Sequence, residues 1–146
     1  VKHKITKVMR KHFILTALLT LLVATVSVAQ GKDYQLSSHI LNIQNGQPAP
    51  GVKITLSKLN SDQTWILLEE RITDDNGRVK DFLEQMDEKG NPGIYKLTYH
   101  VGPYFESLAQ ESFYPFIEVV FEIKDGNHYH VPITLSPYGY STYRGN

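Results

Sequence analysis

The segment IEVVFEIKDGNHYHVPITL, residues 117–135, carries the pattern that decides the fold. In both of its halves apolar side chains occupy every second position: Ile117, Val119, Phe121 and Ile123, then Tyr129, Val131, Ile133 and Leu135. Successive side chains of a strand point to opposite faces, so each half predicts a strand with one buried face. The tripeptide Asp125-Gly126-Asn127 between the halves is typical of a turn.

The other face of the second strand is polar and regular. It is formed by His128, His130, Pro132 and Thr134. Such a face is too polar for a closed core, so we expect it to contact water, a ligand or another subunit.

A strand nearer the N-terminus contains His39 and has apolar residues on both faces. Ser37, His39, Leu41 and Ile43 share one face, and Ser38, Ile40 and Asn42 share the other. The pattern alone does not decide which face is buried. Burial of both faces, one of them in a subunit interface, would explain it.

The rest of the chain consists of short alternating segments separated by glycine-, proline- and asparagine-rich turns. We expect strands at residues 37–43, 52–57, 64–73, 93–99, 117–124, 128–135 and 139–143. Seven or eight short strands with turns about every ten residues favour an all-β antiparallel sandwich. A break in the alternation predicts one short helix at residues 104–110.

The first 29 residues have the features of a cleaved signal peptide. Five basic residues lie within residues 2–11, an apolar run follows from Phe13, and Ser27-Val28-Ala29 provides small residues before Gln30. This order predicts cleavage before Gln30, a mature domain of residues 30–146, and a periplasmic or secreted location. An uncleaved membrane anchor at residues 13–29 is the alternative, and a start at Met9 would give a shorter signal.

Composition excludes several classes of function. The whole chain balances 15 basic against 15 acidic residues, and the charged residues of the leader are all basic, so the mature domain is net acidic. A net acidic domain lacks the electrostatic footprint of a nucleic-acid or anionic-lipid binder. The chain has no cysteine, which excludes disulfides, zinc-thiolate sites and thiol nucleophiles. Its length suits a single domain.

The C-terminal segment resembles the closing signature of the 5-hydroxyisourate hydrolases, the transthyretin-related enzymes of urate breakdown. The matching residues are HYHVP at 128–132 and LSPYGYSTYRG at 135–145. Three further segments match in the same order: LSSHIL at 36–41 resembles the first strand of the family, GQPAPGV at 46–52 its first loop, and TDDNGR at 73–78 its arginine-bearing turn. The resemblance covers essentially all of residues 30–146.

The resemblance implies a transthyretin-like β-sandwich of two four-stranded sheets, assembled as a homotetramer with active sites between dimers. It implies hydrolysis of 5-hydroxyisourate to 2-oxo-4-hydroxy-4-carboxy-5-ureidoimidazoline without metal or organic cofactor. The family's catalytic positions correspond to His39, Arg78 and His130, and its substrate-binding C-terminal tripeptide to Tyr143, Arg144 and Gly145. The family usually ends in serine, whereas this chain ends in Asn146, which offers no hydroxyl.

The residue types suit the opening of a cyclic amide by water. Neutral histidine can accept the proton of water, and the planar, permanently charged guanidinium of arginine can stabilise an oxyanion. Tyrosine can hold a flat ring. We expect His39 and His130 to position and deprotonate water while Arg78 binds substrate; which histidine is the base stays open.

Each of these residues also has an ordinary interpretation. His128 and His130 could share a metal ion, although no third ligand follows at a fixed spacing. His39 could be a surface histidine, Arg78 a solvated turn residue, and the tyrosines strand formers. At the level of function, a small-ligand carrier or a secreted structural sandwich would use the same fold. The structural alternative predicts that His39, Arg78 and His130 lie far apart.

Overall fold

The computed structural model describes residues 33–85 and 87–145 of the 146-residue chain. The expected signal peptide and Asn146 lie outside the described residues. In chain order the elements are β1 (Tyr34–Asn42), β2 (Gln47–Pro48), β3 (Lys53–Leu59), β4 (Trp65–Ile72), β5 (Arg78–Glu84), β6 (Gly93–Tyr99), α1 (Val101–Ser107), β7 (Ile117–Ile123), β8 (Tyr129–Ser136) and β9 (Gly139–Thr142). The expected strands are confirmed to within three residues at each end.

The strands form two sheets that enclose one core. The first sheet has the order β5-β1-β8-β9, and the short β2 also pairs with the end of β1, which makes five strands. The second sheet has four strands in the order β4-β3-β6-β7. Strands β1 and β8 run parallel and all other pairs run antiparallel. The predicted all-β sandwich is therefore confirmed, with two-residue β2 as an addition to a four-stranded sheet, but the expectation that every pair is antiparallel is wrong for β1 and β8.

Strand β5 was not predicted from the alternation, because the strand contains an irregularity. Leu36 of β1 pairs with Phe82, and Ser38 pairs with Val79, so β5 has one residue more than β1 over this stretch. Leu83 also has a positive φ of 56°. As a result Val79 and Phe82, three positions apart, are both buried. A bulge of this kind breaks the period of two that identifies a strand.

The helix lies three residues earlier than the predicted 104–110. Val101 and Phe105 are buried four positions apart on one face of α1, which anchors it against the core. Pro103 is compatible with this position because the first helical turn needs no backbone donor. The helix does not continue to residue 110 as predicted, because Ala109 has a φ of 54°, which a right-handed helix does not allow.

The core holds a buried hydroxyl pair that connects the two sheets. The Tyr99 hydroxyl on β6 donates to the Val131 carbonyl of β8 at 3.0 Å, and it lies 2.9 Å from the Ser38 hydroxyl of β1. Ser38 also donates to the Val131 carbonyl at 2.8 Å. This arrangement puts Ser38 on the inner face of β1, so the alternate residues Ser37 and His39 lie on its outer face. Across residues 33–85 and 87–145, no helix has the length and apolar character needed to cross a membrane.

Candidate active site

The three predicted catalytic residues lie on three neighbouring strands of the first sheet. His39 of β1 is opposite Arg78 of β5 on one side and opposite Pro132 of β8 on the other. Ser37, two residues earlier on β1, is opposite His130 of β8. Neighbouring strands are about 4.8 Å apart, so the register places both imidazoles and the guanidinium on one patch of the outer face.

The turn before β5 positions Arg78. The Asp74 carboxylate accepts hydrogen bonds from the backbone N–H groups of Asn76 at 2.9 Å and Arg78 at 2.8 Å. Gly77 has a φ of 68°, and a side chain there would meet the Ile40 carbonyl at 2.6 Å. The tight packing requires glycine at this position. Within the described part of the chain no salt bridge occupies the Arg78 guanidinium, which leaves its donors available.

Burial and positive charge favour the neutral form of the two histidines. Burial, followed by the Arg78 guanidinium, lowers the pKa of His39 below its ordinary value, against the opposing effects of the Asn76 backbone and the Asp74 carboxylate. Burial also lowers the pKa of His130, with further contributions from Arg78, His39 and His128. Neutral imidazole has a free lone pair, so both rings can accept a proton near neutral pH.

His130 belongs to a series of hydrogen bonds that joins the N-terminal ends of the interior strands β1 and β8. Its Nδ1 lies 2.8 Å from the Ser37 hydroxyl, and the same hydroxyl lies 2.8 Å from Nε2 of His128. Nδ1 of His128 lies 3.0 Å from the Tyr34 carbonyl oxygen. Sequence reasoning missed the role of Ser37, although its position on the His39 face was visible from the alternation.

The C-terminal tripeptide divides between two environments. The Gly145 N–H donates to the His130 carbonyl at 2.9 Å, and the residue packs against the edge of the His130 ring. Tyr143 is 60% exposed. The Arg144 guanidinium lies 4.7 Å from the centre of the Tyr129 ring, whose side chain belongs to the core. Gly145 therefore joins the patch, whereas Arg144 of the same chain lies on the opposite side of β8.

The residues that the structure describes contain no group of three or more histidine, cysteine, aspartate or glutamate side chains arranged to hold a metal ion. The pair of His128 and His130 has the Ser37 hydroxyl between the two rings. The donor set of the patch is thus two imidazoles, a hydroxyl and a guanidinium, which suits proton transfer and anion binding.

Both the sequence and the fold are similar to those of known proteins. The HIUase/Transthyretin family profile matches residues 36–145. A probable 5-hydroxyisourate hydrolase of Caenorhabditis elegans is 44% identical over 129 residues, covering 88% of this chain and 93% of the relative. The structure of Klebsiella pneumoniae 5-hydroxyisourate hydrolase is similar, with a TM-score of 0.64, 35% identity, and coverage of 76% of this chain and 98% of that one.

Sea bream transthyretin in complex with thyroxine is also similar, with a TM-score of 0.70, 25% identity, and coverage of 76% of this chain and 94% of that one. The fold is thus common to a hydrolase and to a protein whose structure holds thyroxine. Taken with the profile match over most of the sequence, these likenesses establish that the chain belongs to the HIUase/Transthyretin family.

Proposed function

We propose that this protein hydrolyses 5-hydroxyisourate to 2-oxo-4-hydroxy-4-carboxy-5-ureidoimidazoline, a step of urate degradation. The names of the similar hydrolases support this activity. The observation that carries it is the patch formed by His39, Arg78 and His130 on adjacent strands, where two neutral imidazoles lie beside an unpaired guanidinium. A structural sandwich has no need of such a cluster.

The patch supplies the groups that amide hydrolysis requires. One imidazole accepts a proton from water while the water oxygen bonds to the ring carbonyl carbon, and the carbonyl electron pair moves onto its oxygen. Arg78 is placed to bind the anionic heterocycle and to stabilise the negative charge that develops. When the tetrahedral intermediate collapses, the ring C–N bond breaks and the leaving nitrogen takes the proton back. The product is a single ring-opened molecule with a new carboxylic acid, which releases its proton to solvent and becomes a carboxylate.

The proposed site includes a second copy of the chain, since the patch lies on the outer face of the sheet. The same face continues through Leu41 to Ile43, whose side chain is 56% exposed. An apolar surface beside a polar patch favours burial against another subunit, which would exclude water from a bound ring. A homotetramer with sites between its dimers, as the family resemblance implies, is the assembly we propose. Arg144 and Tyr143 would contribute to substrate binding in that assembly.

We further propose that the protein acts outside the cytoplasm, in the periplasm or after secretion. This rests on the sequence of residues 1–29, where a basic start, an apolar run and small residues precede Gln30. The reaction as proposed needs no metal or organic cofactor, because the protein groups supply both the base and the positive charge.

The activity is tested by generating 5-hydroxyisourate from urate in situ and following its ultraviolet decay with and without the purified protein. We expect decay in proportion to protein concentration, unchanged by a chelator. Decay at the spontaneous rate across neutral pH would exclude the hydrolase. Tight binding of urate without turnover of 5-hydroxyisourate would instead identify a small-ligand carrier. The similarity to transthyretin with bound thyroxine is the reason for testing this alternative.

A further inference from the structure

Two polar residues beside the patch, Ser37 and His128, have no role in the reaction as described. Both lie on the outer side of the first sheet, and Ser37 stands directly opposite His130 in the β1–β8 register. Three short contacts connect them in series: Tyr34 carbonyl to His128 Nδ1 at 3.0 Å, His128 Nε2 to Ser37 Oγ at 2.8 Å, and Ser37 Oγ to His130 Nδ1 at 2.8 Å.

Only one direction of donation fits this series when the rings are neutral. A backbone carbonyl has no proton to donate, so Nδ1 of His128 must carry the proton and donate to the Tyr34 oxygen. Nε2 of neutral His128 is then an acceptor, and the Ser37 hydroxyl must donate to it. Having used its proton, the Ser37 oxygen accepts from His130, whose Nδ1 is therefore the protonated nitrogen.

We infer that Ser37 and His128 are positioning residues that hold His130 in the Nδ1–H tautomer, so that its Nε2 lone pair is a proton acceptor of the active site. The inference rests on the proposed function for its catalytic meaning. The Tyr34 carbonyl of β1, at one end of the hydrogen-bond series, thus fixes which nitrogen of the His130 ring on β8 carries the proton. The tautomer of a histidine is commonly set in this way, by the hydrogen-bond partner of the ring nitrogen that takes no part in the reaction.

The surroundings of Nε2 fit this role. Burial of the ring and then the permanently charged Arg78 guanidinium lower the pKa of His130, against the opposing effect of the Ser37 backbone, so a second proton on the ring is disfavoured. Gly145 packs on the edge of the ring at Cδ2, the carbon next to Nε2, without placing a side chain over it. During hydrolysis Nε2 takes one proton from water and later returns it to the leaving ring nitrogen, so the tautomer is restored after each turnover.

The tautomer is measured directly by ¹⁵N NMR of histidine-labelled protein at about pH 8, above the reference histidine pKa of about 6.5. We expect the His130 Nε2 signal at the chemical shift of an unprotonated nitrogen and the Nδ1 signal at that of a protonated one. Histidine in water favours the opposite Nε2–H form. The series of hydrogen bonds therefore predicts that His130 reverses the tautomer preference of free histidine. A Ser37 hydroxyl with only a structural role would not produce this reversal.

Two variants interrupt the series of hydrogen bonds at different points. Ser37→Ala removes the acceptor for His130, and His128→Phe removes the acceptor for Ser37 while keeping a ring at an exposed position. Both should shift His130 toward the Nε2–H form and lower kcat by about 10–100-fold. This is the usual cost of losing a hydrogen-bond partner that orients a metal-ligating histidine, and we apply it to His130. Ser37→Thr keeps the hydroxyl and should restore both readouts.

Thr134→Val is the matched control, because it removes a hydroxyl from the outer face of β8 whose partner is Ser141 rather than a histidine. It should change neither the tautomer nor kcat. A wild-type His130 protonated on Nε2, or a tautomer unchanged in Ser37→Ala, would overturn the inference even if the protein hydrolyses 5-hydroxyisourate. Wild-type protein that leaves the decay at its spontaneous rate would remove the proposed function, and with it the catalytic role of the chain, whatever tautomer is found.

Discussion

Replacing Gly145 with alanine tests whether the C-terminal segment positions His130. The Gly145 backbone is outside the left-handed region, so alanine is sterically allowed there. Its Cβ, however, would lie 3.1 Å from Cγ and 3.2 Å from Cβ of His130, and closer still to Cδ2. Favourable carbon contacts are at about 3.5–4.0 Å, so either the ring or the tail must move by about 1 Å.

A displacement of that size has a large expected effect on rate. A misplacement of about 1 Å in a catalytic group can cost about 10²-fold, because the proton acceptor no longer meets the water in line with its lone pair. We therefore expect Gly145→Ala to lower kcat/KM for 5-hydroxyisourate by about 100-fold, while the melting temperature changes little because the contact is at the chain end.

The control is Gly139→Ala in the turn before β9. There the nearest atom to an added Cβ is the Ser136 hydroxyl at 3.7 Å, an ordinary contact, and the backbone is again outside the left-handed region. This variant should retain wild-type turnover in the same ultraviolet decay assay. If Gly145→Ala also stays within threefold of wild type, the packing of the tail on the His130 ring has no catalytic role.

Arg78→Gln should raise the pKa of both His39 and His130, since the guanidinium lowers these pKa values. As the pH falls, the loss of kcat/KM should therefore begin at a higher pH than in the wild type. Turnover on the plateau should also fall by about 10²–10³-fold, because an oxyanion contact is lost. A pH–rate profile checks this, with Lys80→Gln, on the same strand, as the charge control; an unmoved acid limb would contradict it. Tyr99→Phe should reduce the free energy of unfolding by about 1 kcal/mol, because it removes one buried hydrogen-bond donor and leaves the Val131 carbonyl satisfied by Ser38. Urea titration measures it, and a loss above about 3 kcal/mol would show that the hydroxyl does more than this one bond.

The sequence allowed the strands to be predicted where the period of two was unbroken. His128–Leu135 and Gly93–Tyr99 are examples, since their inner faces carry apolar residues at alternate positions. Strand β5 was missed because its bulge places Val79 and Phe82, three positions apart, in the core. The short helix was predicted three residues too late because a break in the alternation shows where a strand pattern stops but not where a helix begins.

The site was predictable in part. Alternation placed His130 on the polar face of its strand but left the buried face of the His39 strand undecided. The family resemblance selected both histidines together with Arg78. Local patterns could not show that β1 lies between β5 and β8, since the β1–β8 pairing joins segments about 90 residues apart and the β1–β5 pairing joins segments about 40–50 residues apart. The partners of Ser37 depend on the same register, which is why its role emerged only from the structure.

The orientation of Arg144 follows from the pairing of the C-terminal segment, which the structure shows. Gly145 pairs with His130 across an antiparallel bridge, so the preceding residue points to the other face. The resemblance grouped Tyr143, Arg144 and Gly145 as one binding element, whereas within a single chain they face different surroundings.

The most direct test of the central claim compares wild-type protein with His130→Asn and Lys80→Gln at equal concentration on freshly generated 5-hydroxyisourate. We expect accelerated decay with wild type and Lys80→Gln, and a loss of about 10²–10⁴-fold with His130→Asn, the range for removal of a general base. Equal acceleration by folded His130→Asn and wild type, or no acceleration by any of the three, would contradict it.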